Sequence, residues 1–323
     1  MRGHPVGGGI MYSPFLGSCA MTDTHRWEIP EFPDFRKVSL SDREHVEALF
    51  DRYPTEVSER TFGTIYVWRG YAGRSRLSTF EGHLMVSWRR EQFGNLLLPP
   101  IGPRPAETIV SIRRTAREHG FAGFFCLTEP AVSALRENGL TPESLRDEWD
   151  YVYMTRDLIA LEGPGYHTQR KELKKVASQN AVKFEVMTRE HLESCLQLEE
   201  VWCDLKRCTF DRLSAAEDAA LKEALLNYDA LGFIGGVVLM NGKVEALTVG
   251  ERLSPNTAVV HFEKANPGIR GLYQFINQQF CEHVLKDFEF VNREQDVGEP
   301  GLRRAKEGYR PHHFVEKHVL GLA

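Results

Sequence analysis

The sequence predicts an α/β (α+β) protein built from two tandem units, each a mixed, mainly antiparallel sheet flanked by helices. Three observations predict it. Segments of period-2 and period-3.6 apolar patterning alternate along the chain. The order helix, meander strands, helix, strand, helix occurs twice. Local sequence also recurs at long range: Arg43-Glu44-His45-Val46 returns as Arg189-Glu190-His191-Leu192, while Pro100 and Pro267, and Phe121 and Phe288, each lie 167 residues apart. A period this long means duplicated domains rather than a solenoid.

In the first unit, placed at residues 31–155, Ser39 to Phe50 reads as a helix, with Ser41 and Glu44 spaced as a capping box. Thr64 to Trp68 reads as a short strand or a helical turn. Ser78 to Trp88 and Asn95 to Leu98 read as strands, and Glu107 to His119 as an amphipathic helix. Phe121 to Leu127 is a buried strand, followed by a short helix, Ala131 to Asn138, that Gly139 ends. In the second unit, placed at 156–323, Thr188 to Trp202 and Ser214 to Tyr228 read as helices. Phe233 to Met240 and Val244 to Glu251 are strands joined by Asn241-Gly242, a strong hairpin signal. Ala258 to Phe262 is the next strand. Asn266-Pro267-Gly268 turns the chain, and Gly271 opens a helix with Leu272, Phe275, Ile276, Phe280 and Val284 at helical spacing. A strand from Phe288 to Asn292 and a helix stopping near Gly308 complete it. This is the element order of a GNAT-type acyltransferase domain, so the sequence predicts two in tandem.

The formal net charge of −5 provides no global basic field, so a nucleic acid or a membrane must use a local patch. The apolar run Phe233 to Met240 contains two glycines and is too short to span a bilayer. No transmembrane segment is expected. Residues 1–30 are Gly-rich and aperiodic and read as a disordered tail without the apolar core of a signal peptide, in which Met11 and Met21 are later candidate starts. The six cysteines form no CxxC pair and no His pair completes a zinc set, so they read as reduced thiols of a cytoplasmic protein with no metal site.

The two units differ where chemistry would sit. Asn95-Leu96-Leu97-Leu98-Pro99-Pro100 stands in the first where Phe262-Glu263-Lys264-Ala265-Asn266-Pro267 stands in the second. Phe124-Phe125-Cys126-Leu127 stands where the second has Val291-Asn292-Arg293-Glu294. The first copy therefore reads as scaffold and the second as the working copy, or both share one cleft. A strand, a glycine turn and a helix N-terminus present free N–H groups to an anion, although an ordinary β-α-β connection looks the same. Between the units, Arg170, Lys171, Lys174 and Lys175 fall at i, i+1, i+4, i+5 of a basic helix spanning 166–179. It is either a solvated face or a phosphate-contacting surface.

Six stretches together resemble the phosphatidylglycerol lysyltransferase C-terminal domain family, which is tandem GNAT-like and includes short soluble forms. They are Tyr151-Val152-Tyr153, Tyr166 to Lys171, His261 to Ala265, Gly271 to Asn277, Val291 to Gly298 and Gly301 to Lys306. The basic helix also resembles that of Fem-type aminoacyltransferases. The resemblance implies transfer of an aminoacyl group from aminoacyl-tRNA, with no tightly bound cofactor. The chain is expected to lack the membrane-embedded N-terminal half of the lysyltransferases, so the acceptor is expected to be either a lipid headgroup or a soluble small molecule or peptide. The protein is accordingly expected in the cytoplasm or peripheral to the inner membrane face.

Such a transfer needs a base, donors for a tetrahedral oxyanion and a cationic surface for the donor's phosphates. Glu263 at a strand end is the first choice of base, with Glu294, Asp296 and His261 as further candidates. Strand alternation would put His261 on the same face as Glu263. Arg293, Arg303 and Arg304 suit a phosphate or carboxylate, or an internal network with Glu294, Asp296 and Glu299. Asn292, Lys264 and Tyr273 join them as substrate-binding candidates, and Gly268 and Gly271 would let the backbone approach the donor. The rival readings are an acyl-CoA N-acyltransferase, which the Gly-Ile-Arg-Gly spacing fits only loosely, and a non-catalytic binding module of the same fold.

Overall fold

Each half of the chain builds one seven-stranded sheet, and each lends its last strand to the other. The computed structural model describes residues 28–70, 75–90, 93–179, 182–206 and 212–322. The first half runs β1 (Arg36–Lys37), α1 (Arg43–Arg52), α2 (Phe62–Val67), β2 (Arg76–Phe80), β3 (His83–Arg90), β4 (Gly94–Leu97), α3 (Pro105–Glu118), β5 (Gly123–Leu127), α4 (Ala131–Glu137) and β6 (Glu143–Ser144). Next come β7 (Asp150–Met154), α5 (Thr155–Ala160) and α6 (His167–Ala177). The second half runs β8 (Val182–Val186), α7 (Leu192–Lys206), α8 (Arg212–Leu226), α9 (Tyr228–Leu231), β9 (Ile234–Met240), β10 (Lys243–Ser254), β11 (Thr257–Ala265), α10 (Leu272–His283), β12 (Phe290–Asn292), α11 (Pro300–Glu307), β13 (His313–Val315) and β14 (His318–Gly321).

The sheet orders are β1-β2-β3-β4-β5-β14-β6 and β8-β9-β10-β11-β12-β7-β13. Thus β14 of the second half lies between β5 and β6, and β7 of the first lies between β12 and β13. The expected boundary after residue 155 separates β7 from the sheet it completes. The exchange has the same form in both halves: after α4 and after α11 the chain reaches a short edge strand and then crosses to the partner sheet.

Most predicted elements form, with local corrections. The capping box before α1 is Ser39 with Asp42, whose carboxylate accepts from Ser39 N at 2.8 Å; it is not Ser41 with Glu44. The Thr64 to Trp68 segment belongs to helix α2. The run from Ser78 to Trp88 is a hairpin, turned at Glu81 and Gly82 with φ of 46° and 78°. Residues 1–27 of the expected tail lie outside the described residues. Within that expectation, Pro30 is ordered, its carbonyl accepting from Thr79 N at 2.9 Å.

One core runs through both halves. Phe62, Ile65 and Tyr66 of α2 are buried with Leu225, Tyr228, Val249 and Phe262 of the second half. Burying each large apolar side chain is worth roughly 1.5–3 kcal/mol, so this shared core fixes the two sheets to each other. Of the cysteines described, Cys126, Cys195 and Cys281 are buried and all are free thiols; Cys19 and Cys208 lie outside the described residues.

Candidate functional site

Parallel pairing between β11 and β12 lasts only from Thr257↔Phe290 to Val259↔Asn292. In the first sheet β4 and β5 pair only at Leu96↔Gly123 and Leu97↔Phe124. Beyond these pairs each sheet splays into a wedge. The registers make Phe124 and Asn292 equivalent, an offset of 168 (292 − 124) rather than the 167 read from sequence. Two residues further on, Cys126 (φ 61°) and Glu294 (φ 58°) both adopt the left-handed conformation. A non-glycine residue there costs roughly 1–2 kcal/mol, and such strain concentrates at ligand and active sites. In the second half Asn292 Oδ1 helps to hold the conformation by accepting from Glu294 N at 2.7 Å.

The second wedge is filled with polar groups. Between Val249↔Phe262 and Gly250↔Val260 the β10–β11 register shifts, leaving His261 in a β-bulge. The bulge breaks the expected alternation. His261 turns to α2 and β10, touching Glu251 and Thr64, whereas Glu263 turns to α10 and touches Asn277. His261 Nε2 lies 2.8 Å from Glu251 Oε1 and its Nδ1 2.7 Å from Glu294 Oε1. Burial opposes its charge, but the bonds to Glu251 and Glu294 outweigh it and push the imidazole up to about 10. It is therefore an imidazolium clamped between two carboxylates, not a free base. The side chains of His261 and Glu251 are 3% and 7% exposed and that of Glu294 is 26% exposed, so the triad meets solvent through Glu294. Gly63 makes room for this triad, since a Cβ on it would sit 2.2 Å from Glu251 Oε1.

The other candidates form three further groups. Arg293 donates to Glu263 at 3.1 Å and lies against the rings of Tyr309 and Tyr153, 5.0 and 5.9 Å from their centroids. Its Nη1 is buried without a partner. Lys306 donates to the carbonyls of Arg293 and Glu294, and burial, with the charge of Arg293 beside it, pushes the ammonium down to about 8. Asp296 accepts from Tyr151 at 2.5 Å and from both arms of Arg303 at 2.8 Å. Burial works against its charge, but Arg303, Tyr151 and Gly298 N outweigh it and hold the carboxyl down to about 2. Asp296 and Arg303 therefore form the internal network that was the alternative to a substrate contact, with Asp147 rather than Glu294 or Glu299 as the further partner of Arg303. Arg304 is exposed.

Lys264 is buried on the other face of β11, 2.8 Å from Glu217, 3.9 Å from Glu199 and over the Trp202 ring. Trp202 Nε1 donates to the hydroxyl of Tyr273. Burial pushes the Glu199 carboxyl up to about 7. Asn292 is fully buried and its amide donates to Glu56 O and Asp150.

The basic helix is α6. Arg170 turns inward and donates to the carbonyls of Leu161 and Gly163. Lys171, Lys174 and Lys175 are exposed and make no ion pair among the described residues. The helix packs on the start of α10, where Gly271 (φ +92°) is needed because a Cβ would lie 2.7 Å from Glu172 O. Arg270 and Glu172 pair bidentately across the same contact. Gly271 thus serves the approach of α6, while Gly268 is exposed in the turn, its N–H bonded to Asn266 Oδ1.

One cavity bounded by described residues is lined by no sequence-predicted site residue. That cavity, about 530 Å³, fills the first wedge, between Tyr53–Val57, the prolines 99, 100 and 105, and Cys126–Ala134. Arg60 also lines it, a residue for which the sequence offers no signal. Among the described residues, no group of three or more His, Cys, Asp or Glu is placed to hold a metal ion, and no helix is long and apolar enough to cross a membrane.

The family described as Phosphatidylglycerol lysyltransferase, C-terminal, matches residues 50–320. The chain belongs to that family. No curated protein matches it. Among solved structures it is similar to a conserved protein of unknown function from Bacteroides thetaiotaomicron, with 26% identity and a TM-score of 0.80 over 90% of this chain and 99% of that one. It also shares the fold of L-PGS from Bacillus licheniformis, with 15% identity and a TM-score of 0.58 over 91% and 93% of the two chains. FemX shares it at 8% identity and a TM-score of 0.55 over 88% and 96%. The two sheets with their helices are the expected tandem GNAT-like units. Family and fold together are those of an aminoacyl or acyl transferase of the GNAT-like type.

Proposed function

We propose that the protein transfers an aminoacyl group from aminoacyl-tRNA, in the cytoplasm, to an amine or hydroxyl acceptor. The single observation that carries the donor is the face of α6. Lys171, Lys174 and Lys175 are exposed and unpaired among the described residues, in a chain whose net charge is −5. A solvated helix face gains from paired acidic neighbours at i,i+4; three unpaired lysines on one face suit a phosphate backbone. Two observations weigh against acyl-CoA. Helix α6 packs on the β11–α10 turn that would cradle its pyrophosphate, and in the first half Pro99, Pro100, Pro103 and Pro105 remove backbone N–H groups from the equivalent turn.

For the chemistry, Glu294 is assigned the proton of the acceptor's nucleophile. It is the solvent-reaching carboxylate of the triad, and the His261 imidazolium fixes its orientation. Arg293, with its unpartnered Nη1, is assigned the developing oxyanion. The acceptor, whether a lipid headgroup or a soluble molecule, meets them at the mouth of the second wedge.

The test is filter binding of total aminoacylated tRNA across a salt series, comparing the wild type with the Lys171→Glu/Lys174→Glu/Lys175→Glu variant. Loss of two or three phosphate contacts should flatten the slope of log K against log salt by about 2–3 and remove most affinity at moderate salt, with the melting temperature unchanged. Equal affinities in the two proteins would refute the assignment of α6.

A further inference from the structure

We propose that the wedge of the first half is a second ligand site, one that takes a single-chain amphipathic carboxylate with its head on Arg60 and its apolar body between the prolines. The proposal is independent of the donor of the transfer reaction.

Arg60 is a half-buried cation with an unusual set of partners. It lines the 530 Å³ cavity, yet its Nε is buried with no hydrogen-bond partner. Its guanidinium donates from Nη2 to Tyr53 O at 2.8 Å and lies over the Phe50 ring, with no ion pair to any described carboxylate. A half-buried charge with a desolvated, unpartnered N–H and no counter-ion is costly, and proteins keep such groups where a ligand provides the missing partner. The other charges around the cavity are differently placed. Arg104 and Glu107 pair with each other at the exposed rim, and Glu129 reaches Arg136 and Ser133 N. Arg52, exposed at the mouth and near the Tyr53 ring, adds a second cation. The unbalanced charge facing the cavity is therefore positive.

The remaining lining decides the rest of the ligand. Val57, Pro99, Pro100, Pro105, Ala106 and Ala131 give apolar walls, and the volume lies within the range of small-molecule sites. A nucleotide or pyrophosphate is disfavoured because the prolines of the 99–105 turn have no N–H to donate and Ile101 N is already bonded to Leu84 O. One inner cation with apolar walls fits one carboxylate on an alkyl or aromatic body.

Titration calorimetry of the full chain with decanoate and with decanol provides the test, repeated on Arg60→Met. Decanoate should bind the wild type about ten- to a hundredfold more tightly than decanol, the range set by a charge-assisted hydrogen bond. Arg60→Met should erase that preference. It should also melt at or above the wild-type temperature, because it removes an uncompensated charge and keeps the contact with Phe50. Equal affinity of the wild type for decanoate and decanol, binding of neither, or a preference that survives in Arg60→Met overturns the proposal.

Discussion

At the scale of single residues, the second wedge stores its charge in His261. An imidazole raised to about 10 in the folded chain, against an ordinary value of 6.5, ties stability to pH with a definite sign. Its contribution is fully present below about 6.5 and is lost as pH rises through about 10. Each tenfold gain in proton affinity on folding is worth about 1.4 kcal/mol, so the whole effect is on the order of 5 kcal/mol. Lys306 titrates in the same range with the opposite sign, since its folded value is lowered to about 8. Comparing wild type with His261→Gln removes that common background. Denaturant unfolding between pH 7 and pH 10 should show the wild type losing its advantage over His261→Gln as pH rises. Parallel pH dependences in the two proteins would mean that His261 is not charged in the folded state.

At the scale of elements, the contact between α6 and α10 is where a single atom decides the geometry. Gly271→Ala combines a left-handed backbone with a Cβ 2.7 Å from the Glu172 carbonyl, and should cost about 1–3 kcal/mol in denaturant melts. Gly268→Ala, in the exposed turn, should cost under about 0.5 kcal/mol; equal losses would show that α6 yields freely. Elements of this kind were legible in the sequence. Asn241-Gly242 announced the β9–β10 turn, and helical spacing announced α10, because hairpin chemistry and amphipathic period are local. The bulge at His261 was not legible, since it depends on how β10 and β11 register. Alternation therefore misplaced His261 relative to Glu263. Nor was Arg60 legible, because a half-buried cation without an ion pair is defined by what is absent around it in space.

At the scale of the whole molecule, the repeat was visible but the exchange of β7 and β14 was not, since strand order within a sheet leaves no mark on composition or period. The exchange predicts cooperativity. Where the chain crosses between sheets, Lys317, fully buried, donates to Asp150 and Glu59 at 2.6 Å each and to Ser58 at 3.2 Å. These groups come from the entry to β14, from β7 and from the loop before α2, so one cluster ties both sheets. Burial opposes the charge on Lys317, but Asp150 and Glu59 outweigh it and hold the ammonium well above its usual range. Lys317→Met would leave two buried carboxylates without a counter-ion, and should cost about 3–5 kcal/mol. Because each sheet contains the other half's strand and one core spans both, the loss should lower a single unfolding transition rather than release one half first. Differential scanning calorimetry of wild type and Lys317→Met distinguishes the outcomes. One displaced peak supports a molecule whose halves fold as a unit, whereas two resolved peaks would mean that the exchanged strands do not couple them.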